Sequence, residues 1–186
     1  MSRVRRNIST QKQHRNENQV IVEDRKIRFG VIGCGHIGKR HAEMITRNED
    51  CELVALADTR AEAKEEVAHF GVPFYNSIEE LLENEEQIDV INICTPNGFH
   101  KAHSIAALSK GMHIVCEKPM ALTKAGCEEI IFKSLQVSKQ VFCVMQNRYS
   151  PPSVWIKDLI EKEKLAKIYM VQVNCYWNRD ERYYKK

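Results

Sequence analysis

One short stretch constrains this chain more than any other. Arg28–Ile32 reads RFGVI, an apolar run, and Gly33-Cys34-Gly35-His36-Ile37-Gly38 follows at once. A buried strand running straight into G-x-G-x-x-G and then into helical text opens a dinucleotide-binding βαβ unit. Each glycine has its own reason. Gly33 permits the tight turn, Gly35 lets the backbone approach a pyrophosphate, and Gly38 lets the helix pack closely on the strand. The pyrophosphate sits on the N–H groups and dipole of the helix start, so His36 and Ile37 join the glycines as expected cofactor contacts.

The text beyond the motif alternates. Ile37, His41, Met44 and Ile45 recur at helix spacing. Leu53–Ala57 is a second apolar run, ending at Asp58, and Ala61–Phe70 reads as a helix closed by Gly71. Ser77 with Glu80 three residues on is a capping box. Asp89–Cys94, His113–Cys116 and Val141–Met145 are further apolar runs. Helical text separates them at His100–Ser109 and from Thr123 to about Ser138. Strands alternating with helices predict an α/β fold, a doubly wound parallel Rossmann sheet. Runs without polar alternation suit strands covered on both faces. Pro151-Pro152 marks a boundary, followed by an amphipathic helix at Val154–Lys164 and a strand at Ile168–Trp177. The expected organisation is a disordered basic tail at 1–26, a dinucleotide-binding domain at 27–149, and the first helix and strand of a second α/β domain at 150–186.

Asp58 stands where an acidic residue binds the adenosine ribose hydroxyls, and its charge would repel a 2′-phosphate. NAD is therefore expected over NADP, although Arg60 nearby is a group that accepts such a phosphate. Two further loops follow strands: Thr95-Pro96-Asn97 with His100, and Glu117-Lys118-Pro119. Ligands bind outside the carboxyl ends of such strands. A lysine beside a nicotinamide can orient a substrate hydroxyl and ease its deprotonation. By spacing alone Lys118 is equally a surface lysine.

Charge and composition exclude several classes. The net charge is +3, and the first 26 residues alone carry +4, so the body is slightly acidic. That is not the pattern of a nucleic-acid binder. No apolar run approaches the roughly 20 residues of a membrane span. The seven cysteines show no CxxC or Cys/His spacing, so no metal site is expected and the thiols read as reduced core residues of a cytoplasmic protein.

Taken together, GVIGCGHIGKRH, ICTPNGFH, VCEKPMA and QNRY resemble the Gfo/Idh/MocA family of NAD(P)-dependent sugar oxidoreductases. Within it, QNRYSPP followed by KIYMVQVNCYWNRDERYY is most similar to dehydrogenases acting on the 3-position of UDP-N-acetylglucosaminuronic acid. The resemblance implies that Lys118 is the active-site lysine, that Glu117 contacts the nicotinamide ribose, and that Thr95, Asn97 and His100 line the cofactor. It places Arg148, Arg179 and Tyr183 as candidate sugar-nucleotide contacts. It also implies a larger second domain that binds substrate, carries a proton-transfer histidine and forms homo-oligomers. The expectation from Lys186 as the last residue is an incomplete catalytic set. A non-catalytic NAD-binding module with a sensing or scaffolding role is the alternative.

Overall fold

The computed structural model describes residues 25–181. Six parallel strands form one sheet: β1 (Ile27–Ile32), β2 (Cys51–Ala57), β3 (Phe74–Tyr75), β4 (Val90–Ile93), β5 (His113–Cys116) and β6 (Val141–Cys143). Their order is β3-β2-β1-β4-β5-β6, that of a dinucleotide-binding sheet. The chain reverses direction across the sheet between β1 and β4, which opens a crevice there.

Both faces are covered, as the apolar runs require. Val31 joins Cys34, Ala42, Ile45, Leu56 and Val67 in one cluster, built by helices α1 (His36–Arg47) and α2 (Ala63–Val67). Its neighbour Ile32 points the other way, into a larger cluster with Leu81, Ile91, Ile93, Leu108, Ile114 and Ile130. That cluster is covered by α3 (Ile78–Asn84), α4 (His100–Ser109) and α5 (Lys124–Gln136). Each fully buried Ile or Leu contributes about 1.5–3 kcal/mol.

The strand register decides where the loops emerge. Ala57, Ile32, Ile93, Cys116 and Cys143 lie side by side across five strands. Asp58, Gly33, Cys94 and Glu117 therefore all leave the sheet at one edge.

Helix starts follow the expected chemistry with one variation. Ser77 and Thr123 accept hydrogen bonds from the Glu80 and Gly126 N–H groups, both at 3.1 Å. The Glu80 carboxylate reaches back to the Asn76 N–H at 2.7 Å, one residue beyond the capping-box position. The helix expected over Ala61–Phe70 is α2 plus a 3-10 turn at Ala68–Phe70.

One expectation is refined and one is corrected. The buried stripe of α1 is Gly38, Ala42 and Ile45, whereas Ile37 and Met44 are exposed. Helix orientation follows the close approach of Gly38 to the sheet, which turns Ile37 and Met44 outward and Ile45 inward. Downstream, α6 (Pro151–Glu161) forms, but the strand expected at Ile168–Trp177 does not. That segment is exposed without regular structure, because β-propensity makes no strand unless a neighbour accepts its backbone hydrogen bonds.

Candidate cofactor site

The glycine turn shows why each glycine is needed. Gly33 sits at φ +85°, and a Cβ there would lie 2.6 Å from the Cys94 carbonyl carbon. At Gly38 a Cβ would stand 1.8 Å from the Gly33 oxygen, so no side chain fits. Gly35 differs: it caps α1 in extended conformation (φ −68°), and nothing lies within 4 Å of a Cβ built on it. The space above Gly35 is open. The first turn of α1 carries no acidic side chain and no side-chain cap, so its N–H groups face that space. A cleft of about 550 Å³ runs from here between β1 and β4, with His36, Ile37, Asp58, Thr95, Phe99 and His103 among its walls. These features fit a dinucleotide: a bare cradle at a helix start, with an acidic residue at the end of the neighbouring strand.

Asp58 is tied to the turn. Its carboxylate accepts from the Cys34 N–H at 2.7 Å and the Arg60 N–H at 2.8 Å. The Arg60 guanidinium lies 3.3 Å from the same carboxylate, 3.7 Å from Glu62 and 3.8 Å from Glu66. Three carboxylates thus meet the Arg60 guanidinium beside the expected adenosine ribose, and Glu66 also pairs with Lys39 at 3.0 Å.

On the other side of the crevice, Thr95 and Asn97 lie on the loop after β4, and Asn97 opens an exposed 3-10 turn. Thr95 Oγ1 is 3.0 Å from His103 Nδ1, and the Phe99 and His103 rings stack at 5.5 Å. Burial pushes the His103 imidazole below its ordinary range, against the opposing charge of Glu79 and with His100 adding to the shift, so the ring is neutral near pH 7.

His100 takes a different place from the one expected. It is 1% exposed, with Nδ1 2.6 Å from the Pro119 oxygen and Nε2 2.8 Å from the Thr95 oxygen. Its ring staples the loops after β4 and β5 together, with both ring nitrogens facing backbone carbonyls. A neutral imidazole donates to one of these carbonyls, an imidazolium to both.

The loop after β5 presents Glu117 and Lys118. The Glu117 carboxylate lies 3.2 Å from His41 Nε2 and accepts from the Lys118 N–H at 3.1 Å. His41 Nδ1 lies 2.9 Å from the amide nitrogen of Asn92. The Lys118 side chain is exposed, and its ammonium has no partner among the described residues.

The candidate substrate residues are not gathered. Arg148 is exposed on the 3-10 turn Gln146–Tyr149, and Arg179 lies over the Trp177 ring at 4.4 Å in the irregular segment. Tyr183 falls outside the described residues. Sequence reasoning missed Ser77, Ile78, Glu79, Phe99 and His103 as cleft walls. Phe99 and His103 carry a legible signal, four residues apart at the start of α4. The wall from the start of α3 depends on the placing of β3 beside β2. Among the described residues no group of three or more His, Cys, Asp or Glu is arranged to hold a metal ion, and no helix is long and apolar enough to cross a membrane.

Comparison with known proteins agrees with this geometry. The family model described as "Oxidoreductase family, NAD-binding Rossmann fold" matches residues 27–145. The WlbA dehydrogenase of Bordetella pertussis, solved in complex with NADH and UDP-GlcNAcA, is 34% identical with a TM-score of 0.82, covering 86% of this chain and 49% of that one. The WlbA enzyme of Chromobacterium violaceum, solved with the same two molecules, is 32% identical with a TM-score of 0.83, covering 88% and 48%. The D-glucoside 3-dehydrogenase of Escherichia coli is 27% identical over 77% of this chain and 42% of its own length. The myo-inositol 2-dehydrogenase of Thermotoga maritima is 28% identical over 79% and 44%. The chain spans about half the length of these relatives.

Proposed function

This chain belongs to the Gfo/Idh/MocA oxidoreductase family and carries its NAD-binding Rossmann domain, and from that premise we propose that it is the cofactor-binding part of a dehydrogenase acting on a sugar-nucleotide hydroxyl, the 3-hydroxyl of UDP-N-acetylglucosaminuronic acid. One observation carries the substrate class. The structures bound to NADH and UDP-GlcNAcA match this chain at 32–34% identity, against 27–28% for the D-glucoside and T. maritima myo-inositol enzymes.

In this reading the N–H groups of His36 and Ile37 hold the pyrophosphate over Gly35. Asp58 accepts the adenosine ribose hydroxyls. Thr95 and Asn97 border the crevice, and Glu117 accepts a hydroxyl of the nicotinamide ribose. The bound nicotinamide supplies the two-electron acceptor. Lys118, whose exposed side chain stands on the loop after β5, orients the sugar hydroxyl and lowers its pKa, so that the hydroxyl proton can leave to solvent while the hydride goes to the nicotinamide. A cation suits that task because it favours the developing alkoxide.

The test is turnover of UDP-GlcNAcA with NAD by the protein carrying this sequence, followed at the NADH absorbance band. Lys118→Met should lower turnover by about 10²–10⁴-fold while NADH affinity stays within about twofold. Oxidation of free inositol or a D-glucoside in preference to UDP-GlcNAcA would overturn the substrate assignment. NADH binding with no turnover of any of them, by a protein that joins this sequence to a substrate-binding domain, would leave the non-catalytic module.

A further inference from the structure

β4 carries a polar residue where the fold least tolerates one. Its neighbours Ile91 and Ile93 are fully buried, and Asn92 is 5% exposed. Asn92 pairs in register with Val31 on β1 and Val115 on β5. A buried amide is costly unless it is hydrogen-bonded, so this one needs a purpose. Its Nδ2 donates to His41 Nδ1 at 2.9 Å. Nδ1 is then an acceptor, and a neutral ring carries its proton on Nε2. Nε2 faces Glu117 Oε1 at 3.2 Å, with both side chains largely shielded from solvent. The other Glu117 oxygen accepts the Lys118 N–H at 3.1 Å.

We infer that Asn92 and His41 form a buried relay that orients the Glu117 carboxylate, so that His41 is a positioning residue for the cofactor site. The inference rests on the reading of Glu117 as a ribose contact. The polarity runs one way, from amide to imidazole to carboxylate. An anion held at both oxygens keeps one orientation, with its remaining lone pairs directed outward. His41 also lies one turn after Gly38, on the helix whose first turn faces the pyrophosphate position. The relay therefore joins the two halves of the dinucleotide site, α1 and the loop after β5, through one side chain.

The test uses the 186-residue chain, with NADH affinity from fluorescence titration and the thermal midpoint of each variant without NADH. His41→Leu should weaken NADH binding by about tenfold, the usual scale for a lost hydrogen bond to a charged group. His41→Gln, whose amide can place an N–H near the Nε2 position, should restore most of that affinity. Glu117→Gln should also weaken binding. In the Glu117→Gln background, His41→Leu should add less than about twofold, because residues acting through one contact are not additive. The ¹⁵N imidazole spectrum of the chain without NADH should show the Nε2–H tautomer at His41.

Normal affinity in His41→Leu beside weakened affinity in Glu117→Gln overturns the relay. So does equal loss in the Leu and Gln variants, additivity in the double variant, or an Nδ1–H tautomer. Normal affinity in Glu117→Gln is the distinct outcome that removes the ribose-contact reading itself. Should His41→Leu fail to fold, His41→Gln and the imidazole spectrum still decide the question.

Discussion

At the scale of single residues, the glycine turn separates folding from binding. Gly33 and Gly38 are bound by sterics to stay glycine, since any Cβ there meets backbone. Gly35 is not: its φ of −68° suits any residue and its Cβ position is open. Gly35→Val should therefore fold with a near-native thermal midpoint and lose NADH binding, because the branched side chain occupies the pyrophosphate position. Titration of NADH fluorescence beside a thermal melt checks both halves, and normal binding would mean the cradle lies elsewhere. The residue scale also carries cofactor choice. Arg60 would favour a 2′-phosphate only if its charge were available, and Asp58, Glu62 and Glu66 surround it. NADH should bind at least about tenfold tighter than NADPH, a difference of about 1.4 kcal/mol. Equal affinities in paired titrations would transfer the decisive role to Arg60.

At the scale of elements, the site is two loops held at a fixed separation by a helix start. His100 begins α4 and reaches the Thr95 oxygen of one loop and the Pro119 oxygen of the other. His100→Ala removes both contacts and leaves a cavity at a fully packed position. It should cost roughly 2 kcal/mol or more in a urea titration. Amide exchange should quicken in the loops after β4 and β5 more than in β1 or β2. Uniform quickening across the sheet would mean that the ring only fills space. The contrast with Thr95 is instructive. Its hydroxyl meets His103 at the cleft wall, so the two histidines of one helix serve different purposes three residues apart.

At the scale of the whole molecule, two features lie outside the walls of the cofactor cleft. At the opposite end of the sheet the Arg25 guanidinium grips Asp89 at 2.7 and 2.8 Å, and the Arg28 N–H adds a bond at 2.8 Å. The bond from Arg25, outweighing partial burial and aided by the Arg28 N–H, holds the Asp89 carboxyl below the ordinary carboxylate range. A carboxylate with a depressed folded-state pKa stabilises the fold above its unfolded value, and that contribution disappears as pH falls through the folded one. Urea midpoints should therefore fall on acidification below about pH 4, and Asp89→Asn should be less stable at neutral pH with a shallower acid limb. An unchanged limb would remove the pair from the acid response. The second feature is the C-terminal segment. No residue of α6 is buried, and Tyr169, Met170, Val171, Val173 and Tyr176 are each at least 75% exposed. An exposed, largely apolar stretch with high β-propensity is a template for self-pairing. The 186-residue chain should self-associate in sedimentation runs, and removal of residues 151–186 should reduce this without changing NADH affinity. Unaltered association after that deletion would locate the contact elsewhere.

Much of the molecule is a local matter, and so was legible in the order of residues. The glycine spacing, the apolar runs of β1, β2 and β4, and the caps at Ser77 and Thr123 depend on neighbours within a few positions, and they stand where the text places them. The family motifs around Asn97 and Lys118 are likewise contiguous. What the order of residues left open required distant partners. His41 reads as one member of an apolar helical stripe, yet its role follows from Asn92 and Glu117, 51 and 76 residues away. His100 reads as a cofactor contact, yet two carbonyls on separate loops claim its ring. Ile168–Trp177 has the composition of a strand and no strand beside it among the described residues. A hydrogen bond has two ends, and a periodicity describes only one of them. Sequence alone determined the sheet, the cradle and the family; the register that aligned Ala57, Ile32, Ile93 and Cys116 determined which polar side chains meet.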